Sequence, residues 1–389
     1  MATAKLNKSK KDPDLYWYLN KKGEKLWMYR HKYYDPLGNR KEKKKSSFKS
    51  EDAALKALLK VKSDLLNGNH KQVEKDRMTV SQWLDIWYET YHVNWKEPTQ
   101  ILHKDIKDRV IKPLIGKCVL TELDKSTYIR LFINKLKKKY ASSTVKSYNR
   151  IFKLAVNAAV DDEIIPRNRF TKISIQDDKV KDNYYTPDEL NKLLEIAEEY
   201  TNITTYSSLL TLAYTGLRKG EANGLCWNDI DFKQKTITVE RTRDANGVRP
   251  PKTKNSYRKF PVDDIVLTQL KKYKAWCKEK KFKYGKHLKD DDFVFISYQN
   301  GERISNATIN YGLKQAIKIS GLKSITVHGL RHTHATILMN NGVISKGIAK
   351  RLGNTPEMID KVYGHILKDT EDKAVQVFGD SLGAVSGAN

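Results

Sequence analysis

Apolar and polar positions change their period twice along this chain. Between Tyr16 and Phe48, the short runs Tyr16-Trp-Tyr-Leu19 and Leu26-Trp-Met-Tyr29 are separated by Asn20-Lys-Lys-Gly23, and a break at Asp35 to Gly38 leads into a Lys/Arg-rich stretch ending at Phe48. Gly, Asn, Asp and Pro at those breaks supply the turn geometry that lets three short strands pair antiparallel. Helical spacing takes over at Ser50-Glu-Asp, with Ala53, Leu55, Leu58, Leu59, Val61 and Leu65 on one stripe until Gly68. Residues 69–78 carry charge without an apolar period and read as a linker. Thr79-Val-Ser-Gln-Trp83-Leu-Asp-Ile-Trp87 then opens an all-helical segment that continues with Ile101 to Ile111, Lys125 to Lys139 and Ser143 to Val160, a compact four-helix domain.

A second charged connector runs from Ile173 to Asn183, and Thr186-Pro187-Asp-Glu189 is a strong helix start: Thr186 caps, Pro187 suits the first turn, Glu189 closes a capping box. Beyond it the pattern mixes helices (Glu189 to Tyr200, Ser207 to Leu217, Ile265 to Lys280, Ala307 to Ser320) with strands at Thr236 to Glu240, Arg258 to Val262 and Phe293 to Ile296. The chain thus reads as multidomain α+β, with units at 1–70 (three-stranded sheet plus helix), 71–172 (four helices) and 173–389 (mainly helical α+β). The tail Ser381 to Asn389 is small and polar and reads as loose.

Charge narrows the partner. Lys+Arg number 73 against 46 Asp+Glu, a net charge of +27 over 389 residues, and such an excess points to a polyanion. Residues 1–71 hold 19 Lys/Arg and 8 Asp/Glu interleaved with aromatics, so the first sheet is expected to lay a basic face against a DNA groove. Lys135 to Lys139 with Lys146, Arg150 and Lys153 predict a phosphate-facing surface on the helical domain. No stretch approaches the roughly 18 apolar residues of a membrane span, and the basic start Met1 to Lys11 has no apolar run after it, so no membrane partner is expected. Cys118, Cys226 and Cys277 stand alone, which argues against zinc fingers and a disulfide scaffold and suits a reduced, cytoplasmic setting.

The candidate chemistry is concentrated late in the chain: Thr215-Gly-Leu-Arg218-Lys-Gly-Glu221, His328-Gly-Leu-Arg331-His-Thr-His334, Arg351-Leu-Gly-Asn354 and Tyr363-Gly-His365. A phosphodiester under attack collects charge on its non-bridging oxygens, and preplaced guanidinium forks stabilise that charge without deprotonating. Arg218 and Arg331 are the candidates, with Glu221 placed to orient Arg218. Read alone, an arginine at a helix end is more often half of a structural ion pair, and the Arg218 segment lacks the GxxxxGK spacing of a P-loop. His328 shares a helix face with Arg331 and can donate to an oxygen or shuttle a proton. A metal site at His328, His332 and His334 is the rival reading; the Glu of an HExxH motif is missing, and no metal is expected. Tyr363, on a short helix opened by Thr355-Pro356-Glu357, is a candidate covalent nucleophile, weak until nearby positive charge favours its phenolate.

These motifs, in this order and spacing, resemble the tyrosine recombinases, in particular phage and conjugative-transposon integrases, over the whole chain: arm-binding, core-binding and catalytic domains. The resemblance implies that Arg218, His328 and Arg331 cradle the phosphate and that Tyr363 attacks it. It also implies a lysine on a β-hairpin that protonates the leaving 5′ oxygen; Lys252 is the choice and Lys254 the rival. The family has His or Trp where this chain has Asn354, which donates a hydrogen bond but carries no charge; His365 is a possible partial substitute. The implied activity is site-specific recombination through a 3′-phosphotyrosyl intermediate that integrates or excises a mobile element, with no cofactor. The implied partners are double-stranded DNA at core and arm sites, a homotetramer on a Holliday junction with Lys368 to Gly383 docking on a neighbour, a DNA-bending protein and an excisionase. Three other readings are a type IB-like topoisomerase, a metal-dependent nuclease, for which the clustered carboxylates are missing, and a DNA-binding regulator without catalysis.

Overall fold

The computed structural model describes residues 6–36, 38–68, 73, 77–177, 182–251, 253–363 and 378–379. The chain divides into two compact units, 1–180 and 181–389.

In the first unit, strands β1 (Asn7–Lys8), β2 (Leu15–Leu19), β3 (Lys25–Tyr34) and β4 (Arg40–Phe48) form an antiparallel sheet in that order, backed by helix α1 (Glu51–Leu66). The sheet has one strand more than the three the pattern predicts, because the basic start pairs Asn7 with Trp17 and Lys8 with Tyr16. Register decides which face each side chain takes, since successive residues of a strand point to opposite sides. Tyr29 sits opposite Lys45 and is buried with Leu15, Ala54, Leu58 and Val61, so the odd-numbered positions of β3 face α1. Arg30, Lys32 and Tyr34 pair with Lys44, Glu42 and Arg40 on the open face. Val73, read as part of a linker, is instead a buried member of this core.

Helix α2 (Val80–Tyr91) opens on a complete capping box between Thr79 and Gln82. It is followed by α3 (Glu97–Ile106) and α4 (Lys112–Ile115), joined through wide turns at Lys107–Ile111, then α5 (Lys125–Tyr128) and α6 (Asn134–Lys137), joined in the same way at Ile129–Ile133, and finally α7 (Ser142–Asp161). The predicted helices are therefore present, two of them interrupted. Their core centres on Tyr128 stacked with Phe132 and Phe152 and tilted against Phe170, and the Trp83 indole donates to the Ala155 carbonyl at 2.7 Å.

The second unit contains α8 (Pro187–Tyr200), α9 (Ile203–Thr215), α10 (Lys219–Gly224), β5 (Ile230–Asp231), β6 (Thr236–Val239), β7 (Thr242–Asp244), β8 (Gly247–Arg249), β9 (Arg258–Pro261), α11 (Asp264–Phe282), α12 (Thr308–Ser320), α13 (Val327–Asn340), α14 (Ser345–Leu352) and α15 (Pro356–Tyr363). The Thr186–Glu189 capping box forms as its residues require. Three predictions need correction. The helix expected from Ser207 starts at Ile203, where Asn202 accepts from the Thr205 amide, and ends at Thr215, because Gly216 turns left-handed at φ 64°. Phe293 to Ile296 is not a ladder strand: Phe293 bridges Cys226 and Ile296 bridges Arg303 as isolated pairs. The β7–β8 hairpin, closed by Asp244 opposite Gly247, is additional. The sheet runs β5-β6-β9, pairing Val239 with Arg258. Among the described residues, no helix is long and apolar enough to cross a membrane.

Candidate active site

Two helix C-termini build this site. The last carbonyls of a helix have no intrahelical partner, and the helix dipole leaves that end partly negative. At the end of α9, Ala213 O hydrogen-bonds His334 Nδ1 (3.0 Å), Tyr214 O accepts from Arg351 Nη2 (3.1 Å) and Gly216 O accepts from Arg331 Nη1 (2.8 Å). At the end of α14, Arg351 O accepts from Arg258 Nε (2.8 Å), Leu352 O from Arg331 Nη2 (2.7 Å) and Gly353 O from Arg218 Nη2 (3.1 Å). Residues more than a hundred positions apart thus meet because guanidinium forks satisfy orphan carbonyls.

Arg331 is 3% exposed and ties the two helix ends together. Arg218 is the residue before α10, outside any helix rather than at the end of α9. Glu221 lies one turn on; its Oε2 accepts from the Arg218 amide (2.9 Å) and its Oε1 from Arg218 Nη1 (2.8 Å). Burial would raise the Glu221 carboxyl, but hydrogen bonds and charge from Arg258, with Arg218 behind them, hold it below the usual carboxylate range.

His328 stands in the first turn of α13, whose cap Thr326 accepts from the Gly329 amide (3.1 Å). Asn183 pins this helix start, its Oδ1 accepting from the Thr326 amide (2.9 Å). The His328 ring meets His332 edge to face at 4.8 Å. The residue is exposed on one side. Packing around the rest, then His332, Arg331 and Arg218, push its pKa down to about 4 against the opposing pull of Glu221. His328 is therefore neutral at pH 7 and can offer a ring N–H as a hydrogen-bond donor.

His334 is a scaffold residue. Nδ1 bonds the Ala213 carbonyl and Nε2 accepts from Arg351 Nε at 2.9 Å, so neither nitrogen is available to a metal. Among the described residues, no group of three or more His, Cys, Asp or Glu is arranged to hold one.

Arg218 and Glu221 open onto a cleft of about 470 Å³, also lined by Thr242, Pro251, Thr253, Asn255, Ser256, Gly353, Asn354, Thr355 and Met358. Asn354 lines the same space as Arg218. Lys252 and His365 lie outside the described residues, although both neighbours of Lys252 line the cleft. Lys254 begins the tight turn Lys254–Ser256. Tyr363 is the last residue of α15, the helix whose first turn borders the cleft through Met358; its side chain is outside the described set, as is nearly all of Lys368 to Gly383.

Sequence reasoning missed Arg258, which pairs with Glu221 at 2.9 Å and is buried with it. Strand alternation was the available signal: Phe260 and Val262 are buried, which places Arg258 on the same inward face.

Family models match the chain in three places: an arm DNA-binding domain over residues 17–65, an N-terminal SAM-like domain of phage integrases over 79–137, and the phage integrase family over 183–369. The chain is 29% identical over 348 residues to a tyrosine recombinase XerC-like protein of Caldanaerobacter subterraneus subsp. tengcongensis, covering 82% of this chain and 88% of the relative. It is 30% identical over 216 residues to the tyrosine recombinase XerC of Pediococcus pentosaceus, covering 54% of this chain and 67% of that protein. The Tn1549 transposon integrase, solved in complex with a circular intermediate DNA, shares the fold at a TM-score of 0.67 and 23% identity, covering 77% of this chain and 99% of that one. Matched by these family models along its length and by these relatives, the chain belongs to the phage integrase family, the tyrosine site-specific recombinases.

Proposed function

We propose that this enzyme integrates or excises a mobile element by cleaving and rejoining duplex DNA at specific sites. The observation that carries the reading is the meeting of Arg218 and Arg331 on adjacent carbonyls, Gly353 O and Leu352 O, beside a cleft bordered by α15. Arg331 is oriented by the neutral carbonyls of Gly216 and Leu352, and Arg218 shares the single carboxylate of Glu221 with Arg258, so net positive charge remains for a phosphate. Arg218, Arg331 and neutral His328 hold the non-bridging oxygens, and Asn354 donates a further hydrogen bond. The Tyr363 phenolic oxygen forms a bond to phosphorus while the bond to the 5′ oxygen breaks. Lys252, or Lys254 from the same loop, gives that oxygen its proton. The product is a 3′-phosphotyrosine and a free 5′-hydroxyl; a 5′-hydroxyl of the partner duplex reverses the step. The bond energy is conserved in the linkage, so the chemistry needs neither ATP nor a metal.

The modules are 1–70 for arm sites, 71–172 for core sites and 173–389 for catalysis. The assembly is a homotetramer exchanging strands through a Holliday junction, served by a DNA-bending protein and an excisionase and working with the nucleoid in the cytoplasm. A nicked suicide duplex carrying the end of the element tests the chemistry. Tyr363→Phe is expected to bind it like the parent and form no covalent adduct, with the parent reaction unaffected by EDTA. Adduct in the Phe variant removes Tyr363 from its role.

A further inference from the structure

We infer that Arg258 is a positioning residue that couples the lysine-bearing loop to the segment leading into α15 and turns Arg218 toward the phosphate. This rests on the phosphate-cradle reading above. The Arg258 side chain is 5% exposed, and each of its nitrogens is committed. Nε donates to Arg351 O (2.8 Å), Nη1 to Ser256 O (3.0 Å) and Glu221 Oε1 (3.3 Å), and Nη2 to Glu221 Oε2 (2.9 Å). The guanidinium also lies 5.4 Å from the centre of the Phe260 ring, so its plane is held from the side.

Three separate pieces of the cleft therefore share one cation. Ser256 closes the turn that follows Lys252 and contains Lys254, Arg351 belongs to the end of α14 that carries Asn354, and Glu221 is the carboxylate on Arg218. Gly353 shows how closely they pack: a Cβ there would stand 2.8 Å from Asn255 O and 2.9 Å from Arg258 Nη1. Arg258 also shares the charge of Glu221 with Arg218, at 2.9 and 2.8 Å. Without it, Arg218 would be the only arginine on that carboxylate and would be drawn further onto it, away from the substrate. Among the described residues, the charged groups bonded to Glu221 are Arg218 and Arg258, and His328 feels its charge. Removing Arg258 raises the Glu221 carboxyl, so the acid limb of the cleavage profile moves to higher pH.

The experiment is single-turnover adduct formation on the nicked suicide duplex, from acid to neutral pH, with DNA binding and thermal unfolding measured on the same full-length proteins. Arg258→Gln is expected to bind DNA within about twofold of the parent, to lose on the order of a hundredfold in adduct rate, the scale of an ångström misplacement, and to shift the acid limb upward. Arg258→Lys keeps the charge but cannot reach all three partners at once, so its acid limb stays in place and its rate recovers only partly. If the Gln variant does not fold, the lysine variant decides: a loss of about tenfold at full DNA binding supports the assignment, and a parent rate overturns it. A Gln variant within about threefold of the parent, with an unmoved acid limb, also overturns it. Arg218→Ala is the control: a parent-like rate there sinks the cradle reading itself, whereas parent-like rates in the Arg258 variants alone sink only this inference.

Discussion

Gly353 and His334 are small parts of the site with large structural consequences. Gly353 takes φ 64° and offers its carbonyl to Arg218. Alanine would add both left-handed strain and a Cβ within 2.8 Å of Asn255 O. Gly353→Ala is expected to cost about 1–3 kcal/mol in denaturant unfolding and to slow adduct formation. His334 must be neutral, because Nε2 accepts from Arg351 while Nδ1 faces a carbonyl. Burial, then the Arg351 charge, push it down to about 4, against a smaller opposing effect of the Ala213 carbonyl. An unfolded histidine titrates near 6.5. As pH falls from about 6.5 to about 4 the unfolded chain takes up a proton that the folded one refuses, so stability is full above that window and is lost through it. Denaturant melts across that range are expected to show the decline, and His334→Asn to remove its share, leaving the part that His328 contributes.

Helix ends do most of the work at the scale of elements. Caps at helix starts are local and therefore legible: the Thr186–Glu189 box was readable in four residues and forms as read. Thr186→Ala is expected to lower stability by about 1 kcal/mol in equilibrium unfolding, with little change in adduct rate. Carbonyls at helix ends are different, because their partners come from distant elements. Nothing local to Leu352 announces that Arg331 will bond it, or that Arg351 will donate to α9 while Arg258 bonds its carbonyl. Interruptions were equally invisible: the wide turns at Lys107–Ile111 and Ile129–Ile133 keep the same apolar spacing as a regular helix.

Across the whole molecule, the net charge of +27 makes DNA affinity strongly salt-dependent. On the first sheet, register sorts the basic residues: Lys43 turns toward α1 and bonds the Val73 carbonyl, while Lys32, Arg40 and Lys44 occupy the open face. Replacing those three with Gln is expected to reduce the slope of log K against log[salt] on arm-site DNA by up to about 3. Adduct formation on a short core duplex is expected to persist. A slope unchanged on arm-site DNA would place the DNA elsewhere than on this face.

The order of modules and the strong helix starts were determined by the sequence, because periodicity and capping are properties of neighbouring residues; side-chain chemistry there supplied only the candidates for the reacting groups. Which of the many arginines matter was decided by folding. Arg258 looked like one more basic residue in a strand until Glu221, Ser256 and the end of α14 closed around it. A cation's role depends on which unpaired carbonyls and carboxylates surround it, and those neighbours come from chain segments that only the tertiary fold brings together.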